Sequence, residues 1–113
     1  MIDDEADVRD LVADVLMSHG HRITVAAGGR EGLARFEAGR YDVVLTDLGM
    51  PDLDGWQVAR AIKASRGDIP VLLLTGWADA TDPSGATLVD GILKKPFGVE
   101  ELAAAVAAAL VGR

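Results

Sequence analysis

The chain has 113 residues and a mass of 11.8 kDa, the size of one compact domain spanning 1–113 with no room for a separate output module. It is 50% hydrophobic and 26% charged with a mean hydropathy of +0.22, which supplies a core and excludes disorder on composition. Lys+Arg 11 against Asp+Glu 18 gives a net charge of -7, which argues against a nucleic-acid binder needing a basic stripe, and the absence of cysteine excludes disulfides, thiolate metal sites and a Cys nucleophile.

Along the chain, helical periodicity alternates with short β-branched runs. From Ala6 to His19 the apolar residues Val8, Leu11, Val12, Val15 and Leu16 follow the i, i+3, i+4, i+7, i+8 spacing of one helix stripe, which Gly20 can end. Arg22–Ala26 is a short strand candidate. Arg30–Ala38 is a helix with Leu33 and Phe36 on its inner face, stopped by Gly39. Asp42–Thr46 and Ile69–Thr75 are nearly continuous apolar runs, as in strands covered by helices on both faces of a parallel sheet. Between them, Trp56–Ser65 is a helix with Val58, Ala59 and Ile62 inward. Asp79–Thr87 carries Pro83 and Gly85 where a fourth helix is due, so that helix is expected to be short or absent. Val89–Lys94 is the last strand, and Glu100–Leu110 the last helix, with Leu102, Val106, Ala109 and Leu110 on one side.

This β-α alternation predicts an open α/β sheet with right-handed crossovers. One strand is short of residues: only Met1 and Ile2 precede the acidic pair Asp3-Asp4 where a first, central strand is due. The neighbouring strands then close up, another chain supplies a strand so that copies pair through an incomplete sheet, or the chain begins inside its first strand. The longest apolar stretch, Leu102–Val111, is too short to cross a bilayer, and no signal peptide is evident, so a cytoplasmic location without membrane contact is expected.

In an open parallel sheet, ligands bind at the carboxyl ends of the strands. That rule selects Asp3 and Asp4 at the end of the first strand position, Asp47 after the Asp42–Thr46 run, Thr75 at the next strand end, and Lys95 after the last strand. Three close carboxylates repel one another unless a cation lies between them, and Mg²⁺, a hard ion often shared with phosphate, suits such a set. Asp47 is then a candidate nucleophile toward a phosphoryl group. Asp3 and Asp4 would hold the metal, while Lys95 and the Thr75 hydroxyl would bind phosphoryl oxygens. Trp56 and Trp77 read as packing residues, Lys94 as a solvent-facing charge, and His19 and His21 as partners of a helix end.

Together these residues resemble the receiver domains of two-component response regulators. Asp3-Asp4-Glu5 looks like the family's acidic pair. The segment from Asp47 to Gly55, DLGMPDLDG, matches the pattern D-x-x-M-P-x-x-x-G, and Leu74-Thr75-Gly76 and Lys95-Pro96-Phe97 resemble two further motifs, in the same order. The resemblance implies a flavodoxin-like (βα)5 three-layer sandwich with parallel strand order 2-1-3-4-5, here with its first strand largely missing and its fourth helix short. It also implies transfer of a phosphoryl group to Asp47 from the phosphohistidine of a sensor histidine kinase or phosphotransfer protein. The metal would be held by Asp4, Asp47 and the Gly49 carbonyl, with Asp3 acting through water, and the Lys95-Pro96 peptide would be cis. Phosphorylation would change the binding of a downstream protein target, so the domain is a signalling module, not an enzyme in the ordinary sense. Ile92 stands where the family usually has an aromatic switch residue, which favours an alternative, a receiver acting as a phosphorylation-independent interaction module. A haloacid-dehalogenase-type phosphatase would need a second Asp two residues after the nucleophile, where this chain has Gly49.

Overall fold

The computed structural model describes residues 1–76 and 89–111. The element order among them is α1 (Ala6–Ser18), α2 (Gly29–Ala38), β1 (Val44–Asp47), α3 (Gly55–Ser65), β2 (Val71–Thr75), β3 (Gly91–Lys94) and α4 (Val99–Val111). The strands are parallel in the order β1-β2-β3, with Val44 opposite Val71 and Leu72 opposite Gly91. The segment 79–87, where a weak helix was expected, lies outside the described residues, as does Trp77.

The position of the first strand is held by the chain's own beginning. Ile2 bridges in parallel to both Ala26 and Thr46. Its N–H donates to Leu45 O at 2.8 Å, its carbonyl accepts from Asp47 N at 2.8 Å, and Asp3 N donates to Ala26 O at 3.1 Å. The lateral order therefore runs Ala26, Ile2, β1, β2, β3, which is the expected 2-1-3-4-5 arrangement. The neighbours do not close up over the gap. The expected strand over Arg22–Ala26 is corrected to a single bridge at Ala26. Along that run the only β-bridge is the one between Ile2 and Ala26, flanked by the bonds Ala26 N to Met1 O and Asp3 N to Ala26 O. The nitrogen of Met1 donates to the Thr24 carbonyl at 2.8 Å.

Strand side chains alternate between faces, which divides the core into two layers. Ile2, Val44, Val71 and Leu73 pack with Phe36, Val58, Ala59 and Ile62 on the α2/α3 side. Leu45, Leu72, Leu74 and Leu93 pack with Val12, Val15, Leu16, Leu102 and Val106 on the α1/α4 side. The inward residues expected on α3 are thus buried, and of those expected on α4 Leu102 and Val106 are buried while Ala109 and Leu110 are half-buried against the same layer. On α1 the stripe is narrower than expected: Leu11 is 50% exposed and Ala13 is buried in its place. Leu11 lies at the margin of the stripe, and the Ala-rich α4 opposite offers little side chain to reach it. The helix α1 ends as Gly20 predicts. Gly20 has φ 87°, Gly20 N donates to Met17 O, and His21 N donates to Leu16 O, the paired bonds of a left-handed helix end.

Candidate functional site

Every strand in this sheet delivers its last residue to the same edge. Asp47 ends β1 and stands opposite Leu74, while Thr75 ends β2 and stands opposite Lys94. Lys95 follows one residue past the ladder, its N–H bonded to Thr75 O at 2.7 Å. Asp3 follows Ile2, and its Oδ1 accepts from Glu5 N at 2.9 Å, turning the chain into α1. Arg9 of α1 reaches back to donate to the Asp3 carbonyl at 2.9 Å.

Asp3, Asp4 and Asp47 each offer a carboxylate oxygen, and these oxygens lie within 4.8 Å of one another. Asp3 is fully buried, Asp47 and Thr75 are buried, and Asp4 is exposed. The Lys95 ammonium lies 2.8 Å from Asp47 Oδ1 and 3.2 Å from Asp3 Oδ2. A cleft of about 240 Å³ opens beside them, lined by Glu5, Asp47, Gly49, Thr75, Gly76 and Lys95. The sequence-selected residues Asp3, Asp4, Asp47, Gly49, Thr75 and Lys95 are therefore at one place. The Lys95-Pro96 peptide is cis, as expected. Lys94 is exposed, Trp56 is buried in the core, and His19 Nδ1 lies 2.9 Å from Val15 O at the end of α1.

Two residues were not singled out by sequence reasoning. Glu5 stands on the rim of the cleft with Oε1 3.7 Å from Lys95 Nζ, and its signal was its place in the Asp-Asp-Glu run. Asp52, inside the DLGMPDLDG segment, accepts hydrogen bonds from Gly29 N at 3.1 Å and Arg30 N at 2.9 Å. These bonds, with Arg30 N foremost, hold its carboxyl down at about 2. No local pattern announces a partner more than 20 residues away.

Asp47 and Lys95 are both shifted from their ordinary ionisation. Burial pushes the Asp47 carboxyl above the usual carboxylate range. The Lys95 hydrogen bond opposes this shift, and the charges of Asp3 and Asp4 reinforce it. For Lys95, burial alone would pull the ammonium down, but the Asp47 hydrogen bond and the Asp3 and Asp47 charges outweigh it and hold the group above its ordinary value. A carboxyl whose native pKa is raised costs stability when ionised, and that cost disappears as pH falls through the raised value. Asp47→Asn is therefore expected to raise the melting temperature by a few degrees near pH 7 in a chelating buffer. The gain should shrink when the melts are repeated at acidic pH, as wild-type Asp47 takes up its proton. An equal gain at both pH values would contradict this account.

The family described as "Response regulator receiver domain" matches residues 1–107. Response regulator MprA of Mycolicibacterium vanbaalenii is 36% identical over 97% of this chain, which spans 48% of that protein. Transcriptional regulatory protein TcrA of Mycobacterium tuberculosis is 35% identical over 90% of this chain, which spans 41% of that protein. The chain thus spans less than half the length of these relatives. Among solved structures, response regulator TrrA of Thermotoga maritima, in complex with Mg(2+)-BeF, superposes with a TM-score of 0.90 at 32% identity and covers 96% of this chain and 95% of its own. Chemotaxis protein CheY4 of Vibrio cholerae gives a TM-score of 0.85 at 30% identity, covering 96% and 94%. With the fold, the clustered carboxylates and these likenesses in agreement, the chain belongs to the response regulator receiver domain family.

Proposed function

We propose that residues 1–113 form one receiver unit that takes a phosphoryl group onto Asp47 from the phosphohistidine of a sensor histidine kinase or phosphotransfer protein in the cytoplasm. The observation that carries this reading is the position of Asp47. It is buried at a strand end, its Oδ1 is 2.8 Å from the Lys95 ammonium, and it lies beside two further carboxylates and an open cleft. In the transfer, an Asp47 carboxylate oxygen forms a bond to phosphorus as the phosphorus–nitrogen bond to the donor imidazole breaks, and the electron pair of that bond leaves with the imidazole. Lys95 and Thr75 line the cleft, and on this reading their ammonium and hydroxyl would stabilise the charge of the equatorial phosphoryl oxygens.

The donor set fits Mg²⁺. It consists of hard oxygen ligands, with Asp47 already pushed up by burial and by its acidic neighbours, so that a divalent cation would relieve an existing excess of negative charge. Asp4, Asp47 and the Gly49 carbonyl would hold the ion, with Asp3 acting through water. When bound, the ion supplies charge neutralisation for the incoming phosphoryl group. Partner choice on this reading rests with proteins, in keeping with the net charge of -7.

The test is intact mass after incubation with acetyl phosphate and Mg²⁺, for wild type and Asp47→Asn. A gain of one phosphoryl group, about 80 Da, in wild type alone supports the reading. No gain in a folded wild type would overturn it and leave a phosphorylation-independent docking module. That second reading has one observation of its own: Ile92, on β3, is an aliphatic side chain 42% exposed at the position of the family's aromatic switch.

A further inference from the structure

The segment 48–54 carries Gly49, which lines the cleft, so the segment's position bears on the metal side of the site. It is secured at its two ends. Leu48 N donates to Leu74 O at 2.9 Å and Gly55 N to Leu48 O at 2.8 Å, while Asp54 caps α3, accepting from Gln57 N at 2.8 Å as Gln57 Oε1 accepts from Asp54 N at 2.9 Å. Its middle is held from elsewhere. The helix α2 begins at Gly28-Gly29 with no side-chain cap of its own, and the Asp52 carboxylate caps it, one oxygen on Gly29 N and the other on Arg30 N.

The glycine pair is what lets the segment come this close. A Cβ at Gly29 would sit 2.7 Å from Leu53 Cβ, and one at Gly28 would sit 3.1 Å from Asp52 Oδ2. Two unrelated features, a carboxylate aimed at a helix start and two residues without side chains beneath it, therefore serve one contact. The carboxyl stays ionised far below neutral pH, so the contact is present throughout the working range.

We propose that Asp52 is a positioning residue, which by capping α2 holds the segment 48–54 so that the Gly49 carbonyl stands ready for a divalent cation; the inference rests on the metal-assisted phosphoacceptor reading above. Loss of the cap frees the middle of the segment while leaving Asp3, Asp4, Asp47 and Lys95 untouched. The effect should therefore fall on cation affinity more than on the fold. Supporting residues of this kind commonly change metal affinity tenfold or more.

The experiment is titration with magnesium chloride alone, followed through backbone amide chemical shifts, with a melting curve for each variant. Asp52→Ala is expected to raise the Mg²⁺ Kd about tenfold. Asp52→Asn, which keeps one acceptor oxygen, should fall between it and wild type. Gly29→Ala retains Asp52 but pushes Leu53 away, and should weaken Mg²⁺ as well. Glu31→Ala is the control for a merely structural role. Glu31 accepts from Ala27 N and Arg35 Nε in the first turn of α2 without touching 48–54, so its loss should lower the melting temperature and leave the Kd unchanged. If Asp52→Ala and Gly29→Ala bind Mg²⁺ within twofold of wild type, or if Glu31→Ala weakens binding as much as they do, the positioning role is overturned. A folded wild type that neither binds Mg²⁺ nor gains a phosphoryl group would overturn the underlying reading itself.

Discussion

Lys95→Ala is expected to lower the melting temperature by roughly 8–16 °C in a chelating buffer, and to regain most of that loss when Mg²⁺ is added. In the wild type, Lys95 Nζ lies against Asp47 at 2.8 Å, Asp3 at 3.2 Å and Glu5 at 3.7 Å, and Asp3 is fully buried. Removing one partner of a buried ion pair costs ~3–5 kcal/mol, because the charge left behind has no solvent. Here the ammonium borders a cleft and its side chain is 19% exposed, so water enters and about 2 kcal/mol is the better expectation. The pH dependence has a definite sign. The native pKa of Lys95 is raised, so its contribution is complete below the unfolded-state value near 10.4 and is lost only as pH climbs through the native value. Melts at pH 7 therefore read the whole effect. The recovery with Mg²⁺ follows because a divalent cation neutralises the same carboxylates that the lysine serves. Calorimetric melts with and without Mg²⁺ check both halves. An unchanged melting temperature in the chelator would mean that the cluster is solvated well enough to need no lysine.

Ile2→Ala is expected to cost about 3 kcal/mol, a fall of 10 °C or more in the melting temperature. Ile2 is 4% exposed and occupies the centre of the sheet, where its side chain fills the space over Gly32. A Cβ at Gly32 would collide with Ile2 Cδ1 and Cγ1, so the two residues are matched in shape. Truncation leaves a cavity that the hydrogen-bonded neighbours Ala26 and Leu45 cannot collapse into. Leu11→Ala is the contrast. Leu11 is 50% exposed, and its loss should change stability by less than about 0.5 kcal/mol. Urea unfolding of the two variants separates them, and comparable losses would show that the start of the chain does not carry the central strand position.

The contrast between Ile2 and Leu11 shows how far local pattern reaches. The apolar runs around Val44 and Val71, the stripes of α3 and α4, and the end of α1 at Gly20 were legible because each depends on residues within a turn or two of one another. The residues Asp47, Thr75 and Lys95 were legible for a related reason. A parallel sheet sends every strand end to one edge, so position after an apolar run was enough to bring them together. Leu11 read as buried because periodicity marks a face of a helix but not the width of what packs on it, and the opposing α4 is nearly half alanine.

The sequence by itself determined the α/β alternation, the identity of the clustered acids and the lysine, and the chemistry that such a set can support. The tertiary structure decided three things that no window of sequence contains. The stretch Met1–Asp3, too short to read as a strand, holds the central place, because its backbone bonds to Ala26, from Met1 and Asp3, and to Leu45, from Ile2. Glu5 comes to the rim of the cleft only because the turn at Asp3 carries the chain past Lys95. Asp52 finds its partners at the start of α2 because the layers press two glycines and a loop into contact. In each case the deciding interaction joins residues far apart in the chain, and its free energy exists only once the sheet and its two helix layers have assembled.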